Sequence, residues 1–230
     1  MKIEFLHRDP HIVEHFSPYH AKRGVPDWYK QLSQTISTVN GNKATAKACL
    51  PFQDAMNAGY IIPNHYEHEL QTRNVGENDF HFDHITPPMG RIGYHYHEQC
   101  PMSNPRLNNA KCSFVKLELE WTIKTPPGYS CLFFDPFYRG EREFTVLPGV
   151  IDTDTYDVPP AFPLQVHSHN SFTLAPGEPI VQVIPFKRES WDMTVTHDKM
   201  PQKLLYFFNT SYGHARKMYR KMFHHKKHWN

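Results

Sequence analysis

Residues 115–123 alternate without a break. Val115, Leu117, Leu119, Trp121 and Ile123 are apolar, and Lys116, Glu118, Glu120 and Thr122 stand between them. A period of two held over this length puts the apolar set on one face of a strand, whereas a helix would scatter it around its circumference. A half-buried strand needs others to pair with it. Strands are predicted at 60–62, 130–134, 144–147, 162–166, 171–174, 179–186 and 193–196, with turn-forming residues between them. The 20 prolines, 16 phenylalanines and 12 tyrosines suit short strands joined by proline-rich turns better than packed helices. The expected fold is mainly β, a compact barrel or sandwich.

Helices are expected only at the margins. Pro18 and Pro26 interrupt helical patches within 11–32, leaving one or two short helices. Residues 51–57 read as one helical turn, closed by Gly59 in the left-handed conformation. Near the end the period changes: Phe208, Tyr212, Ala215, Tyr219 and Met222 recur at steps of four and three, with Arg216, Lys217, Arg220 and Lys221 off that stripe. No linker or repeat divides the 230 residues. Residues 1–200 are therefore expected to form a single mainly β domain with a histidine-rich insert at about 61–111, and 201–230 a basic amphipathic helix.

Charge is small in sum and uneven in placement. The net charge is +2, yet from Gly213 onward six basic residues meet no acid, so the remaining body is near −4. Cys49, Cys100, Cys112 and Cys131 show no Cys-x-x-Cys pairing and read as reduced thiols. The first residues carry Glu4 and stop being apolar at once, so no secretory leader is expected. No run approaches the roughly 20 apolar residues that span a bilayer, and no membrane partner is expected. The expected location is the cytoplasm of a bacterial host or a virion.

Two groups of residues carry candidate chemistry. Between Asn64 and Cys100 the pairs His81-Phe82-Asp83 and His95-Tyr96-His97 each place two ligands on one strand face, for iron or zinc, and a remote histidine such as His167 added to His81 and Asp83 would make a two-histidine, one-carboxylate iron site. With 17 histidines in the chain, chance pairs of this kind are expected too, as ordinary surface histidines. The second group is Asp152 and Asp154, read either as paired carboxylates or as turn residues satisfying backbone donors. The basic tail reads as a solvated helix face or as a phosphate contact.

Ala58-Gly59-Tyr60, Gly149-Val150-Ile151-Asp152 and Leu174-Ala175-Pro176-Gly177-Glu178-Pro179-Ile180-Val181-Gln182 occur in an order that resembles the first, third and fourth motifs of the dUTPase and dCTP deaminase superfamily, with Pro126-Pro127-Gly128-Tyr129 similar to its strand-ending turn. The resemblance implies a β-clip fold. It makes Asp152 the base that activates water, Tyr156 the platform against the sugar and Gln182 a contact near the phosphates, with magnesium as the cofactor; Tyr60 and Asp154, a second carboxylate two residues after Asp152, are the other expected ligand-binding residues. The chain departs from the pattern in several places. Tyr156 follows Asp152 by four residues rather than three, Glu178-Pro179 replaces Asp-Arg, the Arg-Ser-Gly phosphate loop is missing and no glycine-rich arm ends the chain.

Residues 49–60, 125–130, 149–154 and 184–191 further resemble a family of proteins from tailed phages, cyanophages especially, and from some bacteria. That resemblance brings no activity with it. The expectation is a non-catalytic binding or assembly protein, a homo-oligomer with a trimer favoured, working with phage structural partners. The alternatives are a nucleotide hydrolase using Asp152 and a metal-dependent enzyme built on the histidine-rich insert.

Overall fold

The computed structural model describes residues 1–76, 79–84, 91–95, 97–107, 110–112, 114–168, 170–197, 202, 206 and 219–227. It divides into two compact units, one of Met1–Gly24 with Ala58–Arg188 and one of Val25–Asn57 with Glu189–Asn230.

The first unit is a mainly β structure of three sheets and a two-stranded ribbon. One sheet runs in the order Gly149–Ile151, Tyr129–Phe134, Pro179–Lys187, Tyr60–Pro63, Tyr19–His20, antiparallel throughout. A second is Phe144–Val146, Ala161–Val166, Phe114–Glu118, Arg91–His95, also antiparallel. The third is Phe172–Leu174, His68–Gly76, Asp79–His84, Ala110–Cys112, Ser103–Asn104, in which Ala110–Cys112 lies parallel to Asp79–His84. Glu4–Leu6 pairs with Thr122–Lys124 as the ribbon.

All three sheets feed one core. Ile62, Cys131, Phe133, Val181 and Val183 come from the first, Val115, Leu117, Phe162 and Leu164 from the second, and Leu70, Cys112 and Leu174 from the third. Ile12 is added by the helix Pro10–His15, whose first turn is capped by the Asp9 carboxylate accepting from the His11 amide at 2.8 Å. Gly59 turns the chain into the strand Tyr60–Pro63 with φ +69°, at a point where a Cβ would sit 1.9 Å from the Val183 carbonyl oxygen. Only glycine fits there. The four cysteines are free, and burial pushes the Cys131 thiol up to about 11.

Burial alternates from Val115 to Ile123 as the sequence predicts, yet the strand itself does not run through. Glu120 adopts φ +53°, which ends one ladder at Glu118 and starts another at Thr122 in a different sheet. The left-handed residue turns the hydrogen-bonding edge while leaving the apolar side chains on the core side. The strand expected at 193–196 is absent. Among the described residues, 189–197 are exposed and join no sheet, with Met193 and Val195 each 87 % exposed.

The second unit holds the helices Asp27–Gln31 and Leu50–Asn57 and the exposed hairpin Thr35–Thr38 with Gly41–Ala44. Tyr29 stacks on Phe52 at 5.9 Å, and the Lys47 ammonium lies 4.7 Å from the Tyr29 ring while donating to the Tyr29 and Lys30 carbonyls. Most of the stripe proposed for a terminal helix, Phe208 to Ala215, lies outside the described residues. Tyr219–Phe223 forms a π turn, closed by the His224 amide on the Tyr219 carbonyl at 2.8 Å. Asp54 accepts from Lys227 at 2.8 Å and lies 3.0 Å from His224.

Candidate functional site

Asp152 and Asp154 lie in a turn that leaves the strand Gly149–Ile151, with the Thr155 and Tyr156 amides both donating to the Asp152 carbonyl. In a turn the same-face rule for strand residues no longer applies, and a cation brings the two carboxylates together instead. Arg188 Nη1 donates to Asp154 Oδ1 at 2.8 Å and to Ser130 Oγ at 3.1 Å, while Nη2 donates to Asp154 Oδ2. Ser130 Oγ donates to Asp152 Oδ1 at 2.6 Å, and Arg188 Nη1 is 3.2 Å from that same oxygen. Asp154 Oδ2 also takes the Gly128 amide at 2.8 Å, fastening the proline-rich turn. The Arg188 hydrogen bonds, then the Gly128 amide, hold the Asp154 carboxyl down at about 2. One guanidinium against two carboxylates leaves this cluster at net −1.

Gln182 is distant from this turn. It lies across from Phe134, whereas Lys187 lies across from Tyr129, so about 17 Å of strand separates Gln182 from the aspartate end. Its amide is also in use: Nε2 donates to the Ala58 carbonyl at 2.7 Å, and Oε1 accepts the Phe137 amide at 3.1 Å. Tyr60, paired with Val183 and His20, packs edge-on against Phe5 at 5.5 Å, and burial raises its phenol. Tyr156 is 42 % exposed. Within one chain the five expected ligand residues thus form two groups, Asp152, Asp154 and Tyr156 at one end of the sheet and Tyr60 with Gln182 at the other.

The segment that stands where a phosphate loop was sought is engaged as well. Arg142 donates to Asp135 at 3.1 Å, to Glu178 at 3.2 Å and to the Pro179 carbonyl at 2.8 Å, and its guanidinium lies 4.0 Å from the Phe144 ring centre. Asn64, fully buried, donates to the Leu174 and Ala175 carbonyls at 3.0 and 3.1 Å, while the Gly177 amide returns to its carbonyl at 2.8 Å. The turn at residues 175–178 is therefore set by Asn64 and Arg142, two residues the sequence reading passed over.

Of the expected metal ligands, His81 and Asp83 lie in the strand Asp79–His84, across from Arg73 and Gln71. His95 ends the strand Arg91–His95 in another sheet, and His97 opens the 3-10 turn His97–Gln99. Their side chains lie outside the described residues. His167 hydrogen-bonds Thr145 at 2.7 Å and Asn104 at 3.2 Å. Among the described residues a different trio gathers: His7, His65 and Glu120.

No family model matches the chain, and no curated protein matches it. Solved structures that match include dUTPases. The native dUTPase of EIAV is similar at 11 % identity and a TM-score of 0.34, over 63 % of this chain and 86 % of that one. The dUTPase of phage phi11 of S. aureus, described with a structural Mg(II) ion, is similar at 9 % identity and 0.31, over 57 % and 99 %. The Staphylococcus bacteriophage 80alpha dUTPase with dUpNHpp gives 10 % and 0.31, over 57 % and 90 %. Likeness of this size carries no argument about substrate or chemistry.

Proposed function

We propose that the chain is a non-catalytic β-clip protein of the tailed-phage type, a binding or assembly subunit whose nucleotide pocket has lost its chemistry. The observation that carries this reading is the closed network of Asp152, Asp154, Ser130 and Arg188. A water-activating carboxylate beside a polyphosphate works where free cations offset the charge of the leaving group. Here Arg188 is committed to Asp154, and Arg142 to Asp135 and Glu178. The aspartate cluster, at net −1, repels a polyphosphate.

Assembly is supported by the edge strand Gly149–Ile151, which among the described residues has a sheet neighbour on one side only and leaves Val150 59 % exposed. Such an edge is a template for a second copy. A homo-oligomer, with a trimer favoured, is the expected state.

Two measurements test the reading on the untagged full chain. With dUTP or dCTP and magnesium, no pyrophosphate is released, and Asp152→Asn changes nothing. Light scattering gives a multiple of the 27.0 kDa chain mass. Turnover that Asp152→Asn abolishes would replace this reading with the nucleotide hydrolase, and a monomer would remove the assembly role.

A further inference from the structure

His7 follows the strand Glu4–Leu6, Glu120 is the left-handed residue before Thr122–Lys124, and His65 follows Tyr60–Pro63. Leu6 pairs with Thr122, so the ribbon carries His7 onto Trp121, ring centres 4.9 Å apart, and brings it beside Glu120. His7 Nε2 is 3.9 Å from Glu120 Oε2, and His65 Nε2 is 3.8 Å from the same oxygen. The three potential ligand atoms all lie within 4.8 Å of one another.

Three features of this cluster are costly unless something occupies it. The His65 side chain is 1 % exposed, yet neither of its ring nitrogens has a hydrogen-bond partner, and His7 Nε2, on a side chain 3 % exposed, has none either. Buried polar atoms are ordinarily paired. Glu120 bears φ +53°, a conformation that L side chains avoid, and in it the carboxylate reaches both imidazoles. The separations are too long for direct hydrogen bonds and short enough to share one bound atom.

We propose that His7, His65 and Glu120 bind one divalent transition-metal ion of the zinc, cobalt or iron(II) class. Two imidazoles and a carboxylate suit that class and disfavour magnesium or calcium, which take oxygen ligands. Ligand bonds of about 2.0–2.2 Å in a tetrahedral site need each imidazole about half an ångström closer to the Glu120 carboxylate than it stands, and the two imidazoles drawn toward each other as well. Glu120, with 36 % of its side chain exposed, has the freedom to close that gap. His7 and Glu120 also line a cleft of about 680 Å³, with Leu6, Arg8, Glu118 and Lys124 around it, which gives solvent a route to a bound ion. An open fourth position admits water or an anionic ligand.

Binding has a local cost that identifies it. His7 Nδ1 accepts the Asp9 amide at 3.0 Å, so the neutral ring of the free protein carries its proton on Nε2. Metal at Nε2 leaves the proton on Nδ1, and the Asp9 amide must give up that acceptor. The proposal is independent of oligomeric state and of any chemistry at Asp152.

The test uses untagged full-length protein stripped with a chelator, then titrated with zinc and cobalt(II) by calorimetry and absorption. One equivalent binds, cobalt(II) shows the intense visible bands of a tetrahedral site, and the Asp9 amide resonance shifts. Glu120→Gln and His7→Gln each weaken zinc by about tenfold or more while keeping the wild-type melting temperature, and the pair His95→Gln with His97→Gln leaves binding unchanged. Zinc binding untouched by Glu120→Gln and His7→Gln, or no binding in the folded wild type, overturns the site. Loss only in the His95 and His97 pair overturns it in favour of the histidine-rich insert.

Discussion

Acidification from about pH 7 to about pH 5 interrogates His167, an imidazole that the fold holds neutral. Asn104 Nδ2 donates to the Val166 carbonyl at 2.6 Å, which leaves the Asn104 oxygen facing His167 Nδ1 at 3.2 Å. Nδ1 therefore carries the proton, and Nε2 accepts the Thr145 hydroxyl at 2.7 Å. Burial, then the charge of Arg106, takes the His167 pKa from 6.5 down to about 4 against the opposing pull of Glu143. The unfolded chain takes up a proton below 6.5 and the folded chain does not until about 4. The stability His167 confers is thus complete above 6.5 and is lost as the pH falls toward 4. At about pH 5 the unfolded form is almost fully protonated and the folded form about one-tenth, a difference of about 2 kcal/mol. Urea unfolding followed by tryptophan fluorescence at the two pH values measures the whole loss on acidification, and His167→Asn isolates the part due to His167. The variant is expected to lose about 2 kcal/mol less than the wild type between the two conditions. If both proteins lose the same amount, His167 does not titrate as its hydrogen bonds require and the tautomer assigned to it is wrong.

Gly59→Ala forces a Cβ into the Val183 carbonyl at φ +69°, so its cost in urea unfolding should exceed that of Gly128→Ala, where φ is +85° and no atom lies within 4 Å. The second change is expected to cost about 1–2 kcal/mol from backbone strain alone, and equal costs would show that the Gly59 backbone yields. Trp121→Ala, from a side chain wholly inside the core, should cost about 3–5 kcal/mol, whereas Glu120→Gly should raise stability by about 0.5–1 kcal/mol by relieving its left-handed strain. Unfolding midpoints that move the same way in both variants would contradict the assignment.

The burial of residues 115–123 was legible because alternation records which side of the chain meets the core. The break at Glu120 was not, since a glutamate carries no signal for a positive φ and the change of partner strand is a long-range event. Asp152 and Asp154 could be found from their neighbours, but the fate of their charge was decided by Arg188, which follows the strand Pro179–Lys187 and lies 34 residues beyond Asp154. Gln182 shows the opposite case. Its position in the strand Pro179–Lys187 followed from pattern, while the use of its amide on Ala58 and Phe137 depends on two segments that no local window contains. His7, His65 and Glu120 escape sequence reading for the same reason, being drawn from three separate segments of the fold.

The excursion of residues 25–57 leaves the first unit at Gly24 and returns at Ala58, and these ends belong to neighbours in one sheet, for Tyr19 pairs with Ile61 and the Ala21 amide reaches the Gly59 carbonyl at 3.0 Å. Topologically the excursion is a hairpin with an enlarged bight. Closing a loop about three doublings longer than a four-residue turn costs only about 2 kcal/mol of chain entropy. The sheet can therefore lengthen or shorten that bight at little entropic cost while its own strands keep their order and register.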